Sequence, residues 1–295
     1  MPKRVALVLR DPREFFKILR FHLRRATLVL RDPREFFKRL RSHLAENSKS
    51  NEVLGSETIL YTEVTANCTN KCTFCSIDKV KRRGYIKKDV AYKVRDLISS
   101  NPERLFRVYF HMVGEPLLYS GLEEYIKLLS LPNAMLWVCT NGVLLDDARL
   151  HSLRDAGLNN IWFSMFYTKE KDYKKSTRSD NFLPVKNNLY GLLSKNELFK
   201  QIHIVTFSNN ADEIMRMIKN KKNVTLEMGR MKQVWEYDPA ARPNFISVSI
   251  DGEVNFNWED YNFTTSIGNI CDLPPATVIK AYEKQIAGKI KNGSI

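Results

Sequence analysis

Three of the chain's five cysteines, Cys68, Cys72 and Cys75, fall in one short stretch, CTNKCTFCS (68–76), at spacings of four and three. An odd cysteine count, three of them clustered and no signal-peptide core, argues against a disulfide framework. It favours a reducing compartment, where gathered thiolates serve metals or catalysis. Two metal chemistries are open. A zinc site takes four donors, so Cys139, Cys271 or a distant histidine would have to complete it. A [4Fe–4S] cubane normally takes four cysteines as well, and a set of three leaves one iron open to a ligand from outside the protein. Other distinctive residues stand where short apolar runs end: Gly114, Glu115 and Pro116 in HMVGEPLL, Asn141 in TNGVLL, Ser164 in NIWFSMF, then Arg178 in DYKKSTRSDNF. Singly, each reads as a turn, a strand serine or a surface charge.

The elements that must position them follow from the pattern after residue 58. Runs rich in β-branched and aromatic residues at 59–65, 106–112, 134–140, 160–166, 201–207 and 223–229 predict strands. Helical stretches are predicted near 88–99, 121–130, 145–155, 184–194 and 211–219. Alternation of this kind implies an α/β fold of parallel βα units, either a partial barrel or an open doubly wound sheet. Ligands gather at the carboxyl ends of the strands in both. The cysteines directly follow the first strand, at that end.

With its neighbours in order, the cysteine stretch resembles the radical S-adenosylmethionine (radical SAM) superfamily. The family pattern is three cysteines with an aromatic residue before the last, matched here by Cys68, Cys72, Phe74 and Cys75. The resemblance implies a partial (β/α)6 TIM-like barrel with one [4Fe–4S] cluster on the three cysteines. It also implies S-adenosylmethionine chelated to the open iron through its amino and carboxylate groups. Gly114-Glu115-Pro116 matches the element that meets the methionine amino group, Asn141 the Thr-Asn-Gly turn and Ser164 a serine that faces the cofactor. Arg178 stands where an arginine can reach the cofactor carboxylate. Relatives commonly carry aspartate two residues after that serine; here the position is Phe166. The paired Asn209 and Asn210 after the fifth strand are a weaker match.

The C-terminal stretch 236–295 resembles the SPASM/Twitch extension of radical enzymes, with Asp251-Gly252 as a hairpin turn. The auxiliary-cluster cysteines are replaced: Asn257 stands where one commonly follows the hairpin, and Cys271 is the single thiol of the region. A small β-hairpin and helix cap without a second cluster is expected. At the other end, residues 4–23 recur as 25–44 with 16 of 20 positions identical. Each copy predicts a helix capped by Asp11 or Asp32, with Pro12 or Pro33 at its first position and phenylalanines and leucines on one face. Residues 1–44 thus form a basic amphipathic helical repeat and 45–57 a polar linker, ahead of a barrel at 58–235.

Formal net charge is +14, but residues 1–50 hold 14 Lys or Arg against 5 Asp or Glu, so most of the basicity belongs to the appendage. Nucleic acid is therefore not the expected partner. An anionic membrane surface or an acidic partner suits residues 1–44, as does packing on the protein's own body. A second basic stretch, Lys79, Lys81, Arg82, Arg83, Lys87 and Lys88, reads as a solvated face or as a steering surface beside the cysteines. No run of 18 uncharged apolar residues occurs, so the cytoplasm is expected, with peripheral membrane attachment through residues 1–44. The expected activity is reductive cleavage of S-adenosylmethionine to a 5′-deoxyadenosyl radical that abstracts hydrogen from a peptide, sugar or small metabolite. An external electron donor of flavodoxin or ferredoxin type is implied. The competing reading is a non-catalytic metal-binding or membrane-docking protein on a decayed barrel.

Overall fold

The computed structural model describes residues 57–207, 211–228, 245–257 and 259–291. The N-terminal repeat, the linker up to residue 56, and Asn209 and Asn210 lie outside the described residues.

Strands β1 (Glu57–Thr62), β2 (Leu105–Phe110), β3 (Ala134–Thr140), β4 (Asn160–Ser164), β5 (Gln201–Thr206) and β6 (Val224–Met228) fall on the six predicted runs. Helices α1 (Lys88–Ser99), α2 (Leu122–Leu129) and α3 (Asp147–Asp155) alternate with the first four. Then come α4 (Glu170–Thr177), α5 (Phe182–Ser194) and α6 (Asp212–Ile218). Neighbouring strands from β1 to β6 pair in parallel, as helix-bearing crossovers require. Of these helices, α4 is the one the sequence pattern does not predict. Its eight residues, EKDYKKST, bury only Tyr173 and Thr177, too few to print an apolar stripe.

Register divides the sheet into two unlike faces. Leu60, Val108 and Leu136 lie side by side, as do Ile161, Ile202 and Val224, all 7 % exposed or less. These residues meet Val94, Leu97, Leu122, Ile126, Leu150 and Leu189 of the helices in the main core. Each such side chain contributes about 1.5–3 kcal/mol by leaving water. The opposite, inner face carries Tyr61, Tyr109, Trp137, Cys139 and Trp162, which form a separate aromatic cluster. Tyr61 and Tyr109 stack at 5.0 Å, and Trp162 lies 4.4 Å from the His203 ring.

Beyond β1 the sheet continues with β7 (Phe245–Val248), parallel to β1, and β8 (Val254–Asn255), antiparallel to β7. The order β6-β5-β4-β3-β2-β1-β7-β8 leaves β6 and β8 as edges among the described strands, so the barrel is partial. The hairpin turns at Asp251-Gly252, with Gly252 at φ 97°. Thus the C-terminal region is a strand-pairing neighbour of β1 as well as a hairpin, a partnership no local pattern reveals. Helix α7 (Pro275–Lys291) follows. Among the described residues no helix is long and apolar enough to cross a membrane.

Candidate cluster and cofactor site

The cysteine loop leaves β1 and returns on itself through a narrow neck. Thr65 bridges Tyr85, the Ala66 N–H reaches the Gly84 carbonyl (3.3 Å), and the Ile86 N–H reaches Val64 (2.9 Å). The Thr65 hydroxyl also donates to Gly84 O at 2.6 Å. Everything between, including the three thiols, rests on the ends of other elements.

From β2 comes the Gly-Glu-Pro segment. A Cβ on Gly114 would stand 2.0 Å from the Thr65 carbonyl oxygen and 2.8 Å from that of Asn67, so only glycine lets the two backbones meet. The next amide, Glu115 N–H, donates to Asn67 O at 2.8 Å. The Glu115 carboxylate is buried and accepts from three donors: Leu117 N–H (3.2 Å), the Thr140 hydroxyl (2.7 Å) and Asn141 N–H (2.7 Å). Burial pushes this carboxyl up to about 7 against the pull of those donors. Pro116 opens the short 3₁₀ turn Pro116–Leu118 that Glu115 caps.

From β3 comes Asn141, whose side-chain amide donates to the Thr69 hydroxyl (2.9 Å) and lies 3.6 Å from Cys68 Sγ. Gly142, at φ 80°, leaves room for the Phe163 ring, which a Cβ would meet at 2.2 Å. From α4, the carbonyls of Thr177 and Ser176 accept the N–H groups of Lys71 (3.0 Å) and Thr73 (2.8 Å). Buried Tyr173 accepts from the Asn70 amide at 3.4 Å. Sequence reasoning missed α4, and with it half of the loop's support.

The thiols themselves are half-buried and free. Burial pushes Cys68 and Cys72 up to about 12, and raises Cys75. Opposing that rise, the Asn70 N–H approaches Cys68 Sγ at 3.5 Å, and the backbone N–H groups of Ile77 and Ser76 serve Cys75. Thiols in such a setting stay protonated until a bound metal displaces the proton to solvent. Among the described residues no three Cys, His, Asp or Glu side chains converge closely enough to share one metal ion. Three thiols on one loop, with N–H donors at Cys68 and Cys75, suit an iron–sulfur group, which is held by thiolates and tuned by hydrogen bonds to its sulfurs.

The remaining expected residues are placed less uniformly. Phe74 packs edge-on against Phe166 (4.9 Å) and Phe207 (5.3 Å), which stack on each other at 5.2 Å. The missing aspartate is thereby replaced by one wall of a three-ring box. Phe207, two residues beyond Val205 on the inward alternation, was the missed partner. Ser164 ends β4 half-buried, opposite Val205. Arg178 caps α4 in the left-handed region (φ 51°) and is exposed; its guanidinium has no hydrogen bond or ion pair among the described residues.

One buried ion pair ties the site to the C-terminal region. Glu63, fully buried after β1, binds the Arg82 guanidinium through both carboxylate oxygens, and Arg82 also reaches the Tyr261 carbonyl. Its guanidinium carbon lies 4.9 Å from the centre of the Phe263 ring. Burial pushes Glu63 upward despite this partner.

Known proteins share this fold. The fold is similar to that of BtrN in complex with AdoMet and 2-DOIA (TM-score 0.52, 19 % identity, 76 % of this chain and 81 % of that one). It is also similar to anSMEcpe with bound AdoMet and the Cp18Cys peptide (TM-score 0.55, 16 % identity, 76 % and 80 %). In sequence the chain is 30 % identical over 107 residues to the tungsten-containing aldehyde ferredoxin oxidoreductase cofactor-modifying protein of Pyrococcus furiosus. That match covers 36 % of this chain and 30 % of the relative, so the chain spans well under two thirds of it. The profile of the radical SAM superfamily matches residues 62–222, more than half the sequence and the whole of the site just described, and the chain belongs to that superfamily.

Proposed function

We propose that Cys68, Cys72 and Cys75 hold a single [4Fe–4S] cluster whose fourth iron is left for S-adenosylmethionine, and that the chain acts as a radical enzyme on a biosynthetic substrate. Members of the superfamily use that cluster and that cosubstrate. The observation that carries the reading is the three-thiol loop seated on Gly114, Glu115, Asn141 and α4. When bound and reduced, the cluster supplies the electron that divides S-adenosylmethionine into methionine and a 5′-deoxyadenosyl radical.

The chain's own residues bind and orient. Gly114, Glu115 and Pro116 shape the wall that meets the methionine moiety, with the Glu115 carboxylate bracing β2 against β3. Asn141 steadies Cys68, Ser164 faces the cofactor from β4, and Arg178 stands beside the loop as a partner for a carboxylate. Phe74, Phe166 and Phe207 offer an apolar surface that keeps water from a reactive carbon. Residues 58–235 serve as the barrel, and 236–295 as a SPASM/Twitch-like extension whose single thiol, Cys271, is too few for a second cluster. The substrate is a peptide, a sugar or another small metabolite; the two structural neighbours, one in complex with a peptide and one with 2-DOIA, support both classes. The basic repeat of residues 1–44 serves as a docking arm for an anionic surface.

Anaerobic reconstitution tests the reading. About four irons per chain and 5′-deoxyadenosine formed on adding dithionite are the expected result. Bound zinc with no cleavage product would sink it.

A further inference from the structure

We propose that Asn70 and Tyr173 form a buried hydrogen-bonding pair that raises the reduction potential of the iron–sulfur group; this rests on the cluster reading above. Tyr173 orients the Asn70 amide, and the amide donates to sulfur on the Cys72 side of the loop. The three thiols are unequally served by the protein. Cys68 has two outside donors, the Asn70 backbone N–H at 3.5 Å and the Asn141 side-chain amide at 3.6 Å. Cys75 has the backbone N–H groups of Ile77 and Ser76. Cys72 has its own N–H and no donor from another residue among the described residues.

Beside these thiols lies a polar pair with hydrogen-bonding capacity left over. Asn70 stands between Cys68 and Cys72 in the loop and is 3 % exposed. Its Nδ2 makes one long contact, 3.4 Å to the Tyr173 hydroxyl, and its Oδ1 meets no donor among the described residues. Tyr173 is fully buried and comes from α4, whose Thr177 and Ser176 carbonyls hold the Lys71 and Thr73 amides on either side of Cys72. The thiols are near enough to act on it. Burial first, and then the charges of Cys72 and Cys68, push the phenol up to about 12 against the pull of the Asn70 amide, so it stays an O–H donor. A buried carboxamide is costly to leave half-used. Turned by half a rotation about its Cβ–Cγ bond, the same amide takes the Tyr173 O–H on its oxygen and frees both N–H groups for sulfur. Reduction adds one electron and one negative charge to the iron–sulfur group. Donors to its sulfurs therefore favour the reduced form and raise the potential.

The experiment compares the reconstituted wild-type chain with the double variant Asn70→Leu, Tyr173→Phe, with Tyr173→Phe alone, and with Tyr190→Phe on α5 as control. Iron is assayed, unfolding in urea is followed, and the midpoint potential is read by EPR-monitored redox titration without S-adenosylmethionine. The double variant exchanges both polar groups for apolar ones of similar outline, so stability is expected to hold. Iron content stays as in wild type, while the equilibrium constant for one-electron reduction falls about tenfold, a shift of about 59 mV to more negative potential. Tyr173→Phe gives a smaller shift in the same direction, and Tyr190→Phe gives none. An unchanged potential in the double variant would overturn the proposal, as would an equal shift in the control. Should the double variant hold no iron, Tyr173→Phe decides: a wild-type potential there overturns the proposal, and a more negative one upholds it. If wild type itself takes up no iron–sulfur group, the cluster reading fails; a loaded wild type whose variants keep its potential fails this proposal alone.

Discussion

The cysteine loop after β1 and the loop between β8 and α7 follow strands separated by β7, and they solve the problem of irregular backbone in opposite ways. The first is held from outside. Its backbone and side chains are bonded to Gly84, Glu115, Asn141, Ser176 and Thr177, and its sulfurs stay available. The second is held from within. Asp260 accepts the N–H and hydroxyl of both Thr264 and Thr265, Ser266 donates to Glu253, and the Asn255 amide donates to Asp260 O. A loop that satisfies its own polar groups needs no inserted metal group to fix its shape; a loop braced by its neighbours can present one. Arg82 and Asn262 join the two, so the second also braces the first.

The comparison is broken most sharply through the thiols. Cys72→Ala is expected to lose the iron–sulfur group and at least about 10³-fold of 5′-deoxyadenosine formation, whereas Cys271→Ser stays within about twofold. Iron assay and product quantification check both; equal losses would erase the distinction between the loops. The second test removes the brace. Arg82→Met leaves Glu63 buried without its partner and should cost about 3 kcal/mol of stability in urea titration. Burial holds the folded Glu63 carboxyl above its unfolded value, so this deficit deepens as pH rises above the ordinary carboxylate range. The smallest effect is expected at the self-contained loop. Burial alone would raise the Asp260 carboxyl, but the threonine donors bring it down to about 2. Its contribution is therefore complete above about pH 4 and lost as pH falls through about 2. Asp260→Asn should lower stability at pH 6 by less than about 1 kcal/mol after solvent screening, with the gap closing in acid. A gap that persists at pH 2 would assign the effect to side-chain shape instead.

Legibility followed the range of the interactions. The six barrel strands and five of the helices were readable because alternating and helical periodicities are local. Glu115 was legible as a candidate, yet its engagement by Thr140 and Asn141 was not, because those residues lie some 25 positions away in sequence. Helix α4 escaped because a polar helix with two buried residues carries almost no periodic signal. Phe166 looked like a lost polar contact until Phe74 and Phe207 were seen against it.

What the sequence by itself determined is the chemistry available: three thiols gathered on one short loop, a glycine where two backbones meet, and a C-terminal region with one sulfur. Residue identity carries donor type, and spacing along a loop is a covalent property that folding does not alter. Only the tertiary structure decided what supports those thiols and that β7 lies against β1. Those outcomes depend on contacts between residues distant in the chain, chosen by packing and by the satisfaction of buried polar groups, and no local pattern encodes them.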